Sequence, residues 1–401
     1  MKILMIGHGM VGHKFIESVL EQAGDDIELT ILAEEPHLAY DRVHLTEYFS
    51  GKSVKDLSLC RSDFADAYGI DLRLNTKAVE IDQLNKTVTT SQGDVLNFDK
   101  LILATGSYAF VPPIPGNDRQ NCFVYRTIED LDAIRAASLN AKTGVVIGGG
   151  LLGLEAAKAL RDLNLETHVV EFAPRLMAVQ IDDLGGRVLR SRIEDLGVKV
   201  HTQKATSSIE DGDSTQHVIK FGDGSVLETD IILFSAGIRP RDELARQSGL
   251  LIGERGGIII NDYCQTSHPD IYAIGECALW DNKIYGLVAP GYDMARIAAK
   301  HVLDQESHAF AGADMSTKLK LMGVDVASIG DAHAMSPDAL SYFYADEAAQ
   351  VYKKIVVSAD KTKLLGAVLV GCAKEYSDLL QMMLNGLAVP EQPESLIMPG
   401  F

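Results

Sequence analysis

The chain has 401 residues, 46% apolar and 23% charged, a balance that supports large cores and exceeds one ordinary domain. Its 37 Lys and Arg against 56 Asp and Glu give a net charge of −19, which repels phosphate backbones and argues against nucleic acid and anionic membrane as partners. No apolar run approaches the ~18 residues of a spanning helix, and glycine breaks the opening MKILMIGHGMVG too early for a signal peptide, so the expected location is cytoplasmic.

Residues 2–6 and 28–32 are short runs rich in β-branched residues and leucine, and Val11–Leu20 between them has the apolar spacing of a helix packed on a sheet. The first strand breaks into Gly7, Gly9 and Gly12, with Val11 inside the turn. That pattern lets backbone N–H groups and a helix N-terminus approach a pyrophosphate. Such a βαβ unit closes on an acid for a ribose hydroxyl ~20 residues further on. Glu34 stands 22 positions past Gly12, with Glu35 beside it. In the loop Tyr40-Asp41-Arg42, Arg42 either pairs with phosphate oxygens or is a solvated loop arginine; both readings stay open. Residues 77–90, Ala78 among them, pattern as strands around a turn at Leu84-Asn85-Lys86. The run LILATG ends in Thr105-Gly106, as suits a central parallel strand abutting a cofactor.

A proline-marked crossover at Val111–Pro115 leads to a second copy of the plan, VVIGGGLLGLE. Its glycines are Gly148, Gly150 and Gly153, and Leu151 and Leu152 open a helix to Leu163. A strand Glu166–Val170 then runs into Glu171, 18 positions past Gly153, and IILFSAG, ending in Gly237, mirrors LILATG. The glycine turns are offset by 141 residues, the mark of a duplicated architecture. A carboxylate at Glu171 accepts ribose hydroxyls and repels a 2′-phosphate; at ~5 Å and an effective dielectric near 20 the repulsion is roughly 3 kcal/mol, ~100-fold. Arg175 argues the other way, since an arginine there can accept that phosphate. NADH is expected over NADPH.

The run IYAIGECA, 271–278, is by itself a plain buried strand; placed after the second module closes, it reads as the strand that completes the first sheet, which would set Gly275 and Glu276 beside the sugar-alcohol portion of a flavin dinucleotide. A helix over Gly291–Val302 follows and covers the cofactor. From about residue 311 the composition shifts to Lys-rich strands, Ser316–Val324, Tyr352–Val357 and Leu364–Val370, with a hairpin turn at 360–363 and a helix over Ala373–Asn385. The five cysteines, Cys60, Cys122, Cys264, Cys277 and Cys372, are odd in number, scattered and without CxxC. They argue against a disulfide framework, a zinc knuckle, an iron–sulfur site and a redox-active pair; each cysteine is expected to be buried filler rather than a reactive thiol, and no metal site is expected.

The expected fold is α/β: two Rossmann-like, doubly wound, three-layer dinucleotide-binding domains, the second inserted in the first, plus a small C-terminal α+β domain. The expected boundaries are 1–115 with 240–310, 116–239, and 311–401.

In order along the chain, GHGMVG, YDR, LILATGS, GGGLLGLE, FSAGIRP and TSHPDIYAIGEC resemble the two-dinucleotide flavoprotein reductases of the pyridine nucleotide-disulfide oxidoreductase superfamily. More narrowly, EEPHLAYDRVHLTEYFSG, FVYRTIEDLDAI, GLVAPGYDMA and LKLMGVDVASIGDAH resemble the FAD/NAD portion of NADH-dependent nitrite reductase large subunits. The resemblance implies that Gly7, Gly9, Gly12, Glu34, Arg42, Thr105, Gly106 and Glu276 hold FAD, with Arg126 approaching it. Gly148, Gly150, Leu152, Gly153, Glu171 and Gly237 then hold NADH. Glu155 is either beside the nicotinamide–flavin contact or an ordinary helix carboxylate.

Three departures qualify the match. Glu47 stands where ferredoxin reductases of the group carry Lys, Glu276 replaces the usual Asp, and the loop after Tyr40 lacks the cysteine of oxygen- and peroxide-reducing members. The function implied is an FAD-dependent NADH:acceptor oxidoreductase passing electrons to an iron–sulfur or sirohaem acceptor. The alternatives are a stand-alone rubredoxin or ferredoxin reductase and a non-catalytic NADH-sensing flavoprotein. C-terminal domains of this kind serve in dimer contacts or flank the flavin, so a homodimer is among the expected assemblies.

Overall fold

The structure is a computed structural model describing residues 1–22 and 26–398. It divides into two compact units, Met1–Tyr108 with Ile238–Ala313, and Ala109–Gly237 with Asp314–Phe401.

The first unit is built on a five-stranded parallel sheet in the order Ile271–Ala273, Lys100–Leu103, Lys2–Ile6, Glu28–Leu32, Asp71–Arg73. The glycine-bearing strand lies centrally, and Ile3, Leu4 and Met5 are buried on both faces, as a covered parallel sheet requires. The helix Met10–Leu20 buries Phe15, Ile16 and Val19 against it, and the helix Val288–Val302 packs beside that helix. Each such apolar side chain contributes ~1.5–3 kcal/mol by leaving water. Ala78–Asp82, Thr87–Thr90 and Val95–Asn97 form a separate antiparallel sheet. Lys86, with φ of 51°, turns the hairpin expected at 84–86.

The second unit repeats the sheet, in the order Cys122–Val124, Ile231–Phe234, Thr143–Ile147, Glu166–Val170, Lys199–His201, all parallel. The copies differ in their fifth strand. In the first sheet it comes from late in the chain (271–273); in the second it precedes the glycine turn (122–124). An antiparallel three-stranded sheet, Thr206–Asp211, His217–Phe221 and Val226–Thr229, also belongs to this unit.

The C-terminal part is a five-stranded antiparallel sheet with the helix Tyr376–Leu384 against it. Here the structure corrects two expectations. The strand expected over Ser316–Val324 is two strands, Thr317–Leu321 and Val324–Gly330, joined by a turn at Met322-Gly323, both with positive φ. A strand at Leu340–Asp346 pairs with Val351–Val357 and was not foreseen. A third correction lies in the first unit: the helix expected from Gly291 begins at Val288, because Pro290 falls in the first turn, where no intrahelical N–H bond is lost. The fold class is the expected one. No helix among the described residues is long and apolar enough to cross a membrane.

Candidate dinucleotide sites

Both glycine turns lie where their sheet reverses strand order, between the glycine strand and the strand that closes the module. Open α/β sheets bind ligands in the crevice outside such strand ends. A Cβ on Gly7 (φ 103°) would lie 2.3 Å from the Ala104 carbonyl oxygen, and one on Gly12 would lie 2.5 Å from the Gly7 carbonyl oxygen. In the second turn a Cβ on Gly148 (φ 121°) would lie 2.2 Å from the Ser235 oxygen, and one on Gly153 1.9 Å from the Gly148 oxygen. The middle glycines behave differently: a Cβ on Gly9 or Gly150 would meet nothing within 4 Å. The outer glycines therefore permit close packing of strand, turn and helix, and the middle one leaves a backbone face open.

Gly9 and Gly150 are also the N-caps of the helices that follow, with no side-chain cap and no acid in the first turn. Other helices vary: Thr127 caps with a capping box and Asp182 through the Gly185 N–H, whereas Val288–Val302 and Tyr376–Leu384 carry no side-chain cap. Uncapped N–H groups and a positive helix end beside an open glycine face suit an anion. The FAD and NADH expected from sequence both carry a pyrophosphate, and both turns fit one.

The strand ends of the first sheet gather the first unit's polar candidates. The Thr105 hydroxyl donates to the Arg241 carbonyl at 2.7 Å, and the Arg241 N–H donates to the Gly106 carbonyl at 2.9 Å. Ser107 donates to Glu276 at 2.7 Å. Gly275 and Gly291 close on Val11, where added Cβ atoms would lie 3.2 and 2.5 Å from its side chain. Val11 thus joins the glycine turn to the strand end carrying Glu276. Glu35 accepts from Tyr40 at 2.6 Å and from Arg42, whose guanidinium lies 4.6 Å from the centre of the Tyr40 ring. Burial pushes the Glu35 carboxyl up, but Arg42 and Tyr40 outweigh it and hold it below its ordinary range. Burial likewise opposes the Arg42 charge, which Glu35, Tyr40 and Glu276 more than restore. Arg42 is thus no solvated loop arginine. Ala78 is buried in the first unit's apolar core.

The first acid differs from its counterpart in register. Ile6 pairs with Leu32 and Ile147 with Val170, and the N–H groups of Gly7 and Gly148 donate to the Leu32 and Val170 carbonyls, each at 2.8 Å. The position matching Glu171 is therefore Ala33. Glu34, one residue on, is exposed and pairs with Lys77 at 3.1 Å and Arg241 at 2.8 Å. Sequence reasoning passed over Arg241, although it directly follows the Ile238-Arg239-Pro240 segment.

In the second unit Glu171 accepts from the Gly149 N–H at 2.5 Å and the Ala173 N–H at 2.7 Å. Its carboxylate is thus fixed to the turn whose ligand it is expected to contact. Arg175 is committed elsewhere: it donates to the Ile181 carbonyl at 2.9 Å, to Asp183 at 2.6 Å and to the Ala178 carbonyl at 3.3 Å. Leu151 is half-buried and Leu152 exposed at the helix start, Glu155 is half-buried one turn on, and Gly237 has φ of 110° and open space at its Cα. Arg126 lies just before the capping box at Thr127, its backbone N–H donating to Asp130 at 3.0 Å. Phe172, directly after Glu171, is 78% exposed. The sequence signal for it was only an aromatic following the strand-end acid.

A second feature missed from sequence is a cluster of His8, His13 and Cys60 in the first unit, whose ligand atoms lie within 4.8 Å of one another. A spacing of five and then 47 residues carries no recognisable metal pattern.

The sequence model for pyridine nucleotide-disulphide oxidoreductases matches residues 1–302, and that for the rubredoxin NAD+ reductase C-terminal domain matches 316–387. The large subunit of NADH nitrite reductase from Escherichia coli is 54% identical over 401 residues, 100% of this chain and 47% of that protein. The nitrite reductase [NAD(P)H] large subunit of Klebsiella oxytoca is 57% identical over 400 residues, 100% of this chain and 42% of that protein. The chain thus spans less than half the length of these two relatives. Among solved structures, an NAD-dependent persulfide reductase from A. fulgidus superposes with a TM-score of 0.88 at 26% identity, over 97% of this chain and 78% of that one.

Proposed function

This chain belongs to the pyridine nucleotide-disulphide oxidoreductase family, and from that premise we propose that it is the FAD- and NADH-dependent electron-transfer portion of a nitrite reductase large subunit. The acceptor in this reading is an iron–sulfur or sirohaem centre carried elsewhere. One observation carries it: two strand–turn–helix cradles of the same construction, each with its middle glycine open and its helix uncapped.

The bound cofactors supply the redox chemistry, hydride transfer from nicotinamide to flavin and one-electron release from the flavin. The protein's part is to bind and orient them. Gly7, Gly9 and Gly12 bring backbone N–H groups to the FAD pyrophosphate. Arg42, held charged by Glu35, would pair with its phosphates, and Glu276, fixed by Ser107, would accept hydroxyls of its sugar alcohol. Glu34 and Glu35 share the role that Ala33 cannot fill. Gly148, Gly150 and Gly153 serve NADH in the same way, and Glu171, held by two backbone N–H groups, presents a carboxylate to the adenosine ribose. NADH is favoured over NADPH because Arg175 is bound to its own loop by three nitrogens. The exposed Phe172 ring is a stacking platform for the adenine.

Stopped-flow absorbance tests the reading. Fast bleaching of the visible flavin band by NADH is the expected result; NADH binding without bleaching would instead mark a redox sensor. A stand-alone rubredoxin reductase remains a second reading, favoured by the match over 316–387. Steady-state turnover with rubredoxin, ferredoxin or a sirohaem acceptor decides between the reductases.

A further inference from the structure

We propose that His8, His13 and Cys60 form a binding site for one zinc ion beside the first glycine turn, with the fourth position left to water. Each of the three residues offers a ligand atom, and these atoms lie within 4.8 Å of one another. A closed zinc site has Zn–N of ~2.0–2.1 Å and Zn–S of ~2.3 Å, so side-chain rotation must draw the atoms together by roughly 1 Å. Glu17, one helical turn past His13, pairs with Lys14 at 3.0 Å and stands outside the cluster, so three protein ligands and a water complete the coordination.

The bland alternative is a pair of core histidines, and burial argues against it. His8 is 8% exposed and His13 4%. Buried imidazole nitrogens are normally hydrogen-bonded, because leaving one unpaired costs ~1–3 kcal/mol. Among the described residues, both ring nitrogens of His8 and the Nδ1 of His13 have no hydrogen-bond partner. His8 stacks with Phe64 at 6.4 Å, and His13 meets the same ring edge-on at 5.1 Å while bonding the Leu59 backbone through its other nitrogen. Unmet donor or acceptor capacity on two buried rings beside a thiol is what a metal ion would satisfy.

The donor set chooses the metal. Two imidazoles and one thiolate select zinc over magnesium or calcium, which take oxygen ligands. Cys60 is half-buried just past the short helix Val54–Leu57, its backbone held by the Ser58 hydroxyl. On binding, the Cys60 thiol releases its proton to solvent and ligates as thiolate. The ion would clamp the 58–60 segment to the first helix, next to the uncapped end at Gly9.

The full chain, stripped of metal with a chelator, is titrated with Co2+ and then with Zn2+. One equivalent of Co2+ should produce visible d–d bands of a four-coordinate site and a near-ultraviolet thiolate-to-cobalt band, both displaced by Zn2+. Cys60→Ser should lose the thiolate band. His13→Gln should weaken affinity by at least the ~10–100-fold that losing even an outer partner costs. A measurement without substitutions protects the test from a misfolded variant: Zn2+ should slow alkylation of Cys60, followed by mass spectrometry, while leaving Cys122 and Cys372 unchanged. No thiolate band in the unsubstituted chain, a band that survives in Cys60→Ser, or a Cys60 alkylation rate indifferent to Zn2+ overturns the proposal.

Discussion

The two glycine turns share a backbone and differ in what surrounds it. In each, the first glycine presses on the closing strand, the third on the first, and the second faces open space. The second turn carries its acid at the strand end, bonded to the turn's own Gly149 N–H. The first has Ala33 in that register, and its charges arrive from elsewhere: Glu34 and Glu35 just beyond, Arg42 from a loop, Glu276 from the end of a different strand. On the proposed reading, backbone geometry suits a pyrophosphate, while neighbouring strand ends would distinguish one dinucleotide from the other. A duplicated unit can diverge in ligand without touching its cradle.

The harshest way to break the parallel is to fill the glycines of one turn. Gly153→Ala puts a methyl 1.9 Å from a backbone oxygen, and such overpacking costs ~1–3 kcal/mol. Expected outcomes are a lowered thermal midpoint and lost NADH binding, with flavin content retained. Gly150→Ala should keep the midpoint yet weaken NADH binding, since its methyl would occupy only the ligand's space. Equal affinity in Gly150→Ala and the unsubstituted chain would show that no pyrophosphate sits there.

Glu171→Ala removes the acceptor of two backbone N–H groups as well as the ribose contact. Hydrogen bonds to charged groups are worth ~1.5–3 kcal/mol, so the KM for NADH should rise ~10–100-fold with flavin stoichiometry unchanged. An unchanged KM removes Glu171 from the site. On the other side of the comparison, Glu276→Leu leaves Ser107 without its acceptor and should lower the FAD retained through purification, measured as the flavin-to-protein absorbance ratio. A variant purified with full flavin would count against that assignment.

The smallest effect concerns pH. Burial is the first cause holding His168, His201 and His217 of the second unit below their ordinary pKa. The unfolded chain therefore binds more protons than the folded one, and stability rises with pH across this range. Their contribution is complete above the unfolded value of ~6.5 and is lost progressively as pH falls below it. Thermal midpoints at a series of pH values should decline toward acid, and less steeply in His217→Gln. Parallel slopes would clear His217 of any part.

Legibility in the sequence followed locality. Strands at 2–6, 28–32 and 166–170 were readable because a parallel strand buried on both faces is a short apolar run between glycine or polar signals. The hairpin at 84–86 was readable because Asn85 falls between two strand-patterned runs. The turn at Met322-Gly323 was passed over, since its single glycine (φ 89°) sits inside a continuous apolar run with a methionine at φ 49° before it. So was the strand Leu340–Asp346, which lies at the sheet's edge, and whose Phe343 is 63% exposed and Leu340 37%. At the sites, glycine spacing pointed to both cradles, but distance along the chain is a poor guide to register. It led to Glu34 as the counterpart of Glu171, where pairing with Leu32 makes that counterpart Ala33.

By itself the sequence determined that there are two cradles, where each begins, and which strand closes it, because glycine spacing and apolar runs are local consequences of backbone sterics. Only the tertiary structure decided what each charge does. Arg175 is tied into its own loop, Arg42 is held by Glu35, and Arg241 links Glu34 to the strand end at Gly106. Two histidines and a distant cysteine come together through the same folding. These are meetings between segments far apart in the chain, and they come from packing, which no local pattern encodes.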